Sequence, residues 1–325
     1  MRISVKIAVI VVDEKGIYFM KRKELIANYQ NGNYTVKLYE DGTKIKMNNL
    51  DNFTPSFAES IDCCITEKCS GNCQYCYLSC DETKPHADLN QPFFDTVHKG
   101  TELAINVNDL SHPDLENFLI RMRDKGVFVN TTINQLHLIS NIDKLKDWQE
   151  RKLVWGIGIS LVNSKDKKFL DAIKQLKNVV VHTIDGCLTK EDLENLADND
   201  IKLLILGFKH KGRGLDYYKA HKEEVDNNIA YLKEHLYDYK SNFCGFGFDN
   251  LANDHLCIRE RVGEDKWAIY HMGEEGEFTF FVDAVNKTYS ISSMETEHIF
   301  PIEENDTLDT MFHKVREIAK TIYNF

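Results

Sequence analysis

The chain has 325 residues, 42% of them apolar and 11% aromatic, with a formal charge of -11 at pH 7. That is enough apolar side chain to bury a sizeable core, and the acidic balance excludes a general role in coating nucleic acid or anionic membrane. The one strongly apolar start, residues 7–12, is too short for a signal segment or a membrane span and runs straight into Asp13, Glu14 and Lys15.

A cytoplasmic, reducing setting is therefore expected for the cysteines at 63, 64, 69, 73, 76, 80, 187, 244 and 257. In that setting clustered cysteines point to metal more than to disulfides.

In chain order, residues 1–58 read as a small N-terminal β extension. Residues 3–12 are rich in β-branched side chains, and 34–39 lead through the Asp41-Gly42 turn into 43–47. Residues 59–250 change rhythm. Short apolar strands at 61–66, 103–106, 127–132, 154–160, 179–184, 202–207 and 244–249 alternate with helical patterns. One helix is predicted with Ser111 as N-cap, Leu115, Phe118, Leu119 and Met122 on one face, and Gly126 as its stop. Thr189 with Asp192 opens another, and weaker helices fall at 140–150 and 167–177. Such alternation predicts an α/β fold with a parallel sheet, a partial (β/α)6-type barrel whose chemistry gathers at the C-terminal ends of its strands. Residues 251–325 read as a C-terminal α+β cap, with antiparallel strands at 267–272, 278–282 and 288–292 and a terminal helix at 307–323.

Cys69, Cys73 and Cys76 have the spacing C-x3-C-x2-C directly after the first strand of the β/α series. An ordinary four-iron cluster takes four cysteines, so three would leave one iron open to bind and activate a ligand. The alternative is a zinc site completed by Cys80 or His86. Adjacent Cys63 and Cys64 point to opposite faces of a strand and cannot both serve one cluster. They read, with Cys80, as buried free thiols.

This spacing, with aromatic Tyr75 just before the last cysteine, resembles the radical S-adenosylmethionine (SAM) superfamily over residues 60–210. The resemblance implies a [4Fe-4S] cluster on Cys69, Cys73 and Cys76 whose open iron chelates SAM. An electron donor of flavodoxin or ferredoxin type would reduce the cluster, and the 5'-deoxyadenosyl radical released from SAM would take hydrogen from a substrate. It also implies SAM contacts along successive strand ends. Where the family has a Gly-Gly-Glu turn this chain has Asn106 and Asn108, which depart from the pattern. Next come Thr132 and Asn134, then Ser160 in the Gly156-Ile-Gly158-Ile-Ser160 stretch. Ile184 matches a degraded glycine-rich segment, and Gly207 borders the expected adenine position. Arg213, with Lys209 and Lys211, is a candidate for the SAM carboxylate or an anionic substrate. Each of these also has a structural reading as a turn, cap or packing residue, or as part of a solvated basic loop.

The segments 41–44, 59–62, 247–250 and 272–283 resemble stretches of phage and bacterial radical SAM proteins, a likeness that implies no substrate. A peptide or protein substrate, or else a nucleotide or small metabolite, is expected to enter between the strand ends and residues 245–283. Asp249, Asn250 and Asp283 are the polar candidates there. A non-catalytic SAM- or cluster-binding regulator is the competing class.

Overall fold

The computed structural model describes the backbone of residues 2–6 and residues 24–50 and 52–325; the apolar run at 7–12 and the acidic pair after it lie outside these. Strands β1 (Arg2–Lys6), β2 (Leu25–Asn31), β3 (Tyr34–Tyr39) and β4 (Lys44–Asn48) form an antiparallel sheet in the order β1-β4-β3-β2. Alternation in β3 turns Tyr34, Val36 and Leu38 inward. At the Asp41-Gly42 turn the Asp41 carboxylate accepts from the Thr43 amide at 3.1 Å. Lys44 and Lys46 also point inward, so their charges need partners. Lys46 pairs with Glu59, Lys44 with Glu59 and Glu102, and the Tyr34 hydroxyl donates to Glu59 at 2.6 Å. This buried network ties the small sheet to the start of the large one.

The large sheet contains β5 (Ser60–Cys64), β6 (Glu102–Asn108), β7 (Phe128–Asn134), β8 (Gly156–Ser160), β9 (Val179–Ile184), β10 (Lys202–Leu206), β11 (Gly245–Phe248), β12 (Thr279–Asp283), β13 (Thr288–Ser290) and β14 (Phe300–Pro301). Its order is β11-β10-β9-β8-β7-β6-β5-β12-β13-β14. From β5 to β11 every strand is parallel to its chain neighbour and lies beside it. One face is packed solid: Leu103, Ile105, Val107, Val129, Ile133, Ile157 and Ile159 meet Leu115, Phe118, Leu119 and Met122 of helix α1 (Leu115–Asp124). The other face carries half-buried Asn106, Asn108, Thr132 and His182, so it keeps water within reach.

The remaining helices are α2 (Gln135–Leu138), α3 (Ile142–Glu150), α4 (Lys167–Ile173), α5 (Lys190–Leu196), α6 (Arg213–His235), α7 (Asn250–His255), α8 (Ile258–Val262), α9 (Glu264–Tyr270) and α10 (Leu308–Tyr323). Thr189 and Asp192 cap α5 reciprocally, and Thr307 with Thr310 does the same for α10. No helix among the described residues is long and apolar enough to cross a membrane.

Three sequence expectations are corrected, and one long helix lies where none was expected. Ser111 is not the N-cap of α1: that position falls to Asp114, and the Ser111 amide donates to Asp109 instead. Pro113 bars helical backbone at His112, which delays the start. Residues 267–272 are not a strand, because Glu264 and Asp265 supply an acidic first turn to α9 and Trp267 stacks on His271 one turn later at 4.2 Å. Strand β12 is antiparallel to β13 but parallel to β5, so it extends the large sheet. The sequence reading assigns nothing to 215–240, where the 23-residue α6 runs with a kink at His221.

Candidate functional site

The loop after β5 folds back on itself. The Cys69 amide donates to the Asp81 carbonyl at 3.0 Å, and the Ala87 amide returns to Ile65 at 2.9 Å. Within it the chain winds through consecutive turns, Cys76 amide to Cys73 carbonyl at 3.3 Å and Ser79 amide to Cys76 carbonyl at 3.1 Å. Cys69 is buried, and Cys73 and Cys76 are half-buried.

Each of these three sulfurs accepts one N–H: Gly71 amide to Cys69 Sγ at 3.3 Å, Asn134 Nδ2 to Cys73 Sγ at 3.6 Å, and Cys80 amide to Cys76 Sγ at 3.4 Å. Burial pushes the Cys69 and Cys73 thiols up, and the charges of neighbouring thiols add to it. Cys76 is brought down to about 6, chiefly by a hydrogen bond from the Cys80 thiol, which is itself pushed up.

Among the described residues no three His, Cys, Asp or Glu side chains converge on a single ion position. A lone zinc needs all its sulfurs about 2.3 Å from one point. A four-iron cluster gives each thiolate its own iron and relaxes that demand. Three loop thiols, each with an N–H donor, fit separate irons better than one shared ion. His86, the alternative fourth ligand for zinc, pairs its Nδ1 with Thr66 Oγ1 at 2.8 Å. Cys63 packs in the main core while Cys64 bonds the Thr66 carbonyl, on opposite faces of β5 as the alternation requires.

The other residues singled out from sequence fall into three groups. Asn106 spends its amide on the backbone beyond β5, accepting from Ile65 N at 2.8 Å and donating to Thr66 O at 2.6 Å. Asn108 donates to the carbonyls of Lys68 at 2.9 Å and Thr66 at 3.4 Å. Asn134 caps α2, accepting from Leu136 N at 2.9 Å, while its amide nitrogen reaches the Cys73 sulfur.

Thr132, Ser160 and Ile184 lie half-buried at the C-terminal ends of β7, β8 and β9. Tyr75 sits edge-on to Tyr217, ring centres 5.7 Å apart. The Gly207 amide donates to Asp249 Oδ1 at 2.9 Å.

Arg213 belongs to the cysteine loop: its Nε donates to Cys73 O and its Nη2 to Cys80 O, both at 2.9 Å. Lys209 and Lys211 instead reach Ser293, at 2.8 and 2.9 Å. The substrate candidates also have structural work. Asp249 caps α7, Asn250 approaches the Gly273 carbonyl at 3.5 Å, and Asp283 closes the β12–β13 turn through Val285 and Asn286 amides.

Two features lie beyond the sequence reading. His182 covers Gly158 on the open face, and fully buried Asp185 accepts from the Gly186 and Phe208 amides while facing His255 Nδ1 at 2.7 Å. Nothing local in the sequence pairs residues 185 and 255.

Fold and site together define a mixed α/β protein on a large, mostly parallel sheet, with a three-cysteine loop at the end of the first parallel strand. No protein-family model matches the chain, and no curated protein is similar to it. Among solved structures it shares its fold with Streptococcus suis SuiB, determined with S-adenosylmethionine bound. The TM-score is 0.51 at 12% identity, over 81% of this chain and 68% of that one. At that identity the likeness is one of fold.

Proposed function

We propose that the chain is a radical SAM enzyme in which Cys69, Cys73 and Cys76 hold a [4Fe-4S] cluster and SAM lies across the strand ends of a partial β/α barrel. The observation that carries this is the cysteine loop itself, with three thiols after the first parallel strand and an N–H on every sulfur. The sequential strand order from β5 to β11 supports the barrel, and the fold shared with SAM-bound SuiB supports the cofactor. Reductive cleavage of SAM to a species that takes hydrogen from the substrate is the chemistry that cluster and SAM supply when bound.

The chain's own residues have simpler tasks. The N–H donors from Gly71, Asn134 and Cys80 offset negative charge on the sulfurs. Thr132, Ser160 and Asn108 offer polar groups on the water-accessible face where SAM would lie. The buried side of the sheet excludes solvent from behind. A flavodoxin- or ferredoxin-type donor in the cytoplasm supplies the electron, and a peptide or protein is favoured as substrate over a nucleotide or small metabolite. Residues 59–250 form the catalytic unit, with 1–58 and 251–325 as extension and cap.

Anaerobic reconstitution of the full chain tests this. It should yield close to four irons and four sulfides per chain (one cubane cluster), lost when Cys69, Cys73 and Cys76 are all replaced by Ala. Dithionite-reduced protein with SAM should release 5'-deoxyadenosine. Cluster and SAM binding without any deoxyadenosine over many hours would favour a non-catalytic regulator, a reading encouraged by the loss of the family's Gly-Gly-Glu turn, whose acid is replaced by Asn108 or displaced to Asp109. Undiminished iron in the triple variant would sink the cluster assignment.

A further inference from the structure

Helix α6 begins against the cysteine loop, and its first residues are shaped for that contact. Gly212 has φ +55, and a Cβ there would collide with the Tyr77 carbonyl and stand 2.7 Å from Ser79 Oγ. Only glycine allows both the left-handed backbone and the approach. The next residue, Arg213, then donates into the loop from backbone and side chain: its N–H to the Cys76 carbonyl and to Ser79 Oγ, both at 3.1 Å, Nε to Cys73 O and Nη2 to Cys80 O. At Gly214 a Cβ would collide with the Lys209 carbonyl and stand 3.3 Å from that of Tyr75, so glycine here serves first the approach to Lys209.

We propose that Arg213 is a positioning residue for the cluster: its guanidinium fork holds the 73–80 turn closed, and its charge stabilises the reduced cluster. The inference rests on the three-cysteine cluster proposed above. The fork spans two carbonyls seven positions apart in sequence, which ties the turn carrying Cys73 and Cys76 into one unit. Without that tie the loop keeps its local turns, the Cys69–Asp81 backbone bond and the Arg213 backbone N–H to Cys76, but no side chain bridges residues 73 and 80. A lysine could reach one carbonyl as a point charge but could not bridge both.

The charge matters separately. The guanidinium is bonded to the carbonyls of Cys73 and Cys80, so its charge lies against the turn that carries Cys73 and Cys76. A cluster that takes up an electron becomes more negative, so a fixed positive charge beside it raises the potential. Arg213 thus turns inward to the ligand loop rather than outward to SAM.

Three variants separate these roles in the full chain, reconstituted anaerobically: Arg213→Lys, Arg213→Gln and Arg213→Ala. The readouts are iron and sulfide retained against a chelator, midpoint potential from an electron paramagnetic resonance titration, and the change that added SAM makes to that signal. Arg213→Lys keeps the charge and should hold its potential near wild type while losing the cluster faster, about ten- to a hundred-fold in retention as for other outer-shell partners of metal ligands. Arg213→Gln should shift the potential to more negative values as well as weaken retention.

Far-ultraviolet circular dichroism and thermal unfolding of the cluster-free proteins check folding; if Arg213→Ala does not fold, Lys and Gln carry the test. Wild-type retention and potential in both Lys and Gln variants overturn the proposal. So does a loss confined to SAM binding, which would return Arg213 to the SAM carboxylate. A wild-type chain that takes up no cluster overturns the proposed function, and this inference with it.

Discussion

Asn134→Asp separates two jobs that one side chain performs. Asn134 Oδ1 caps α2 through the Leu136 amide, and Nδ2 donates to the Cys73 sulfur. Aspartate caps as well as asparagine, so stability should move by less than about 0.5 kcal/mol, whereas Asn134→Ala should lose roughly 0.5–1 kcal/mol for so short a helix. On the sulfur side aspartate replaces a donor by a second negative charge near 3.6 Å. At an effective dielectric of about 20 two such charges repel by on the order of 4 kcal/mol, or about a thousand-fold in cluster retention. Water beside half-buried Cys73 lowers that figure, and the new carboxyl can also escape by taking a proton. The loss should therefore be small near pH 6 and grow toward pH 8.5.

Urea unfolding of the cluster-free chains measures the cap, and iron and sulfide after reconstitution at the two pH values measure the charge. Wild-type iron loading of Asn134→Asp at the higher pH would refute the contact between residue 134 and the Cys73 sulfur. A stability loss as large as that of Asn134→Ala would refute the cap.

Gly158 has ordinary strand backbone, but a Cβ there would stand 2.5 Å from His182 Nε2. Gly158→Ala should cost about 1–3 kcal/mol by overpacking, part of it recovered with His182→Ala, and a neutral single variant in urea unfolding would deny that contact. Burial pulls His182 down to about 4, so the folded chain refuses a proton that the unfolded chain binds below 6.5. Its contribution is full above that value and is lost as pH falls toward 4, at most about 3 kcal/mol and less because water reaches the ring's open side. Replacing His182 by Asn should flatten the stability profile between pH 4 and 7, and parallel wild-type and variant curves would contradict it. Cys63→Ala should cost about 1 kcal/mol of packing and leave cluster iron unchanged; lost iron would make Cys63 a ligand.

The parallel series was legible because most strands from β5 to β11 carry apolar or β-branched side chains between turn residues, and the cap at Thr189 writes its own sequence signature; the matching cap at Thr307 was not read. The cysteine loop was legible from spacing alone. What lay beyond reach is long-range. No local pattern says that Arg213 turns to Cys73 and Cys80, 140 and 133 residues away in sequence. Nor does one say that β12 adds to the first parallel strand instead of forming a separate meander. Tyr, Trp and Ile at 267–270 carry strand propensity, and tertiary context overrode it. Arg213 itself was read by residue type: a basic side chain near glycines suits an anionic ligand, but backbone carbonyls satisfy it equally.

The Asn106–Asn108 turn is where this chain departs most from the family it resembles, and its geometry narrows what can meet the amino group of SAM. Asn106 has both ends of its amide committed to backbone. Asn108 does not: Nδ2 is tied to Lys68 and Thr66 carbonyls, while among the described residues no donor is bonded to its Oδ1. Its φ of +48, beside a bulge in the β6–β7 pairing, reproduces the left-handed backbone that glycine would supply. Asn108→Gly should therefore keep the left-handed backbone but weaken SAM binding; because it also removes the Nδ2 bonds to Lys68 and Thr66, cluster iron is measured alongside and the affinity is compared at equal loading. A hydrogen bond to a charged group is worth about 1.5–3 kcal/mol, roughly ten- to a hundred-fold in affinity. Asn108→Ala should show the same affinity loss plus about 1 kcal/mol of stability for a Cβ in left-handed backbone. Titrating SAM against the signal of the reduced cluster reads the affinity. If Asn108→Gly binds SAM as wild type does, the amino group is met elsewhere, and Asn108 serves only to shape the turn.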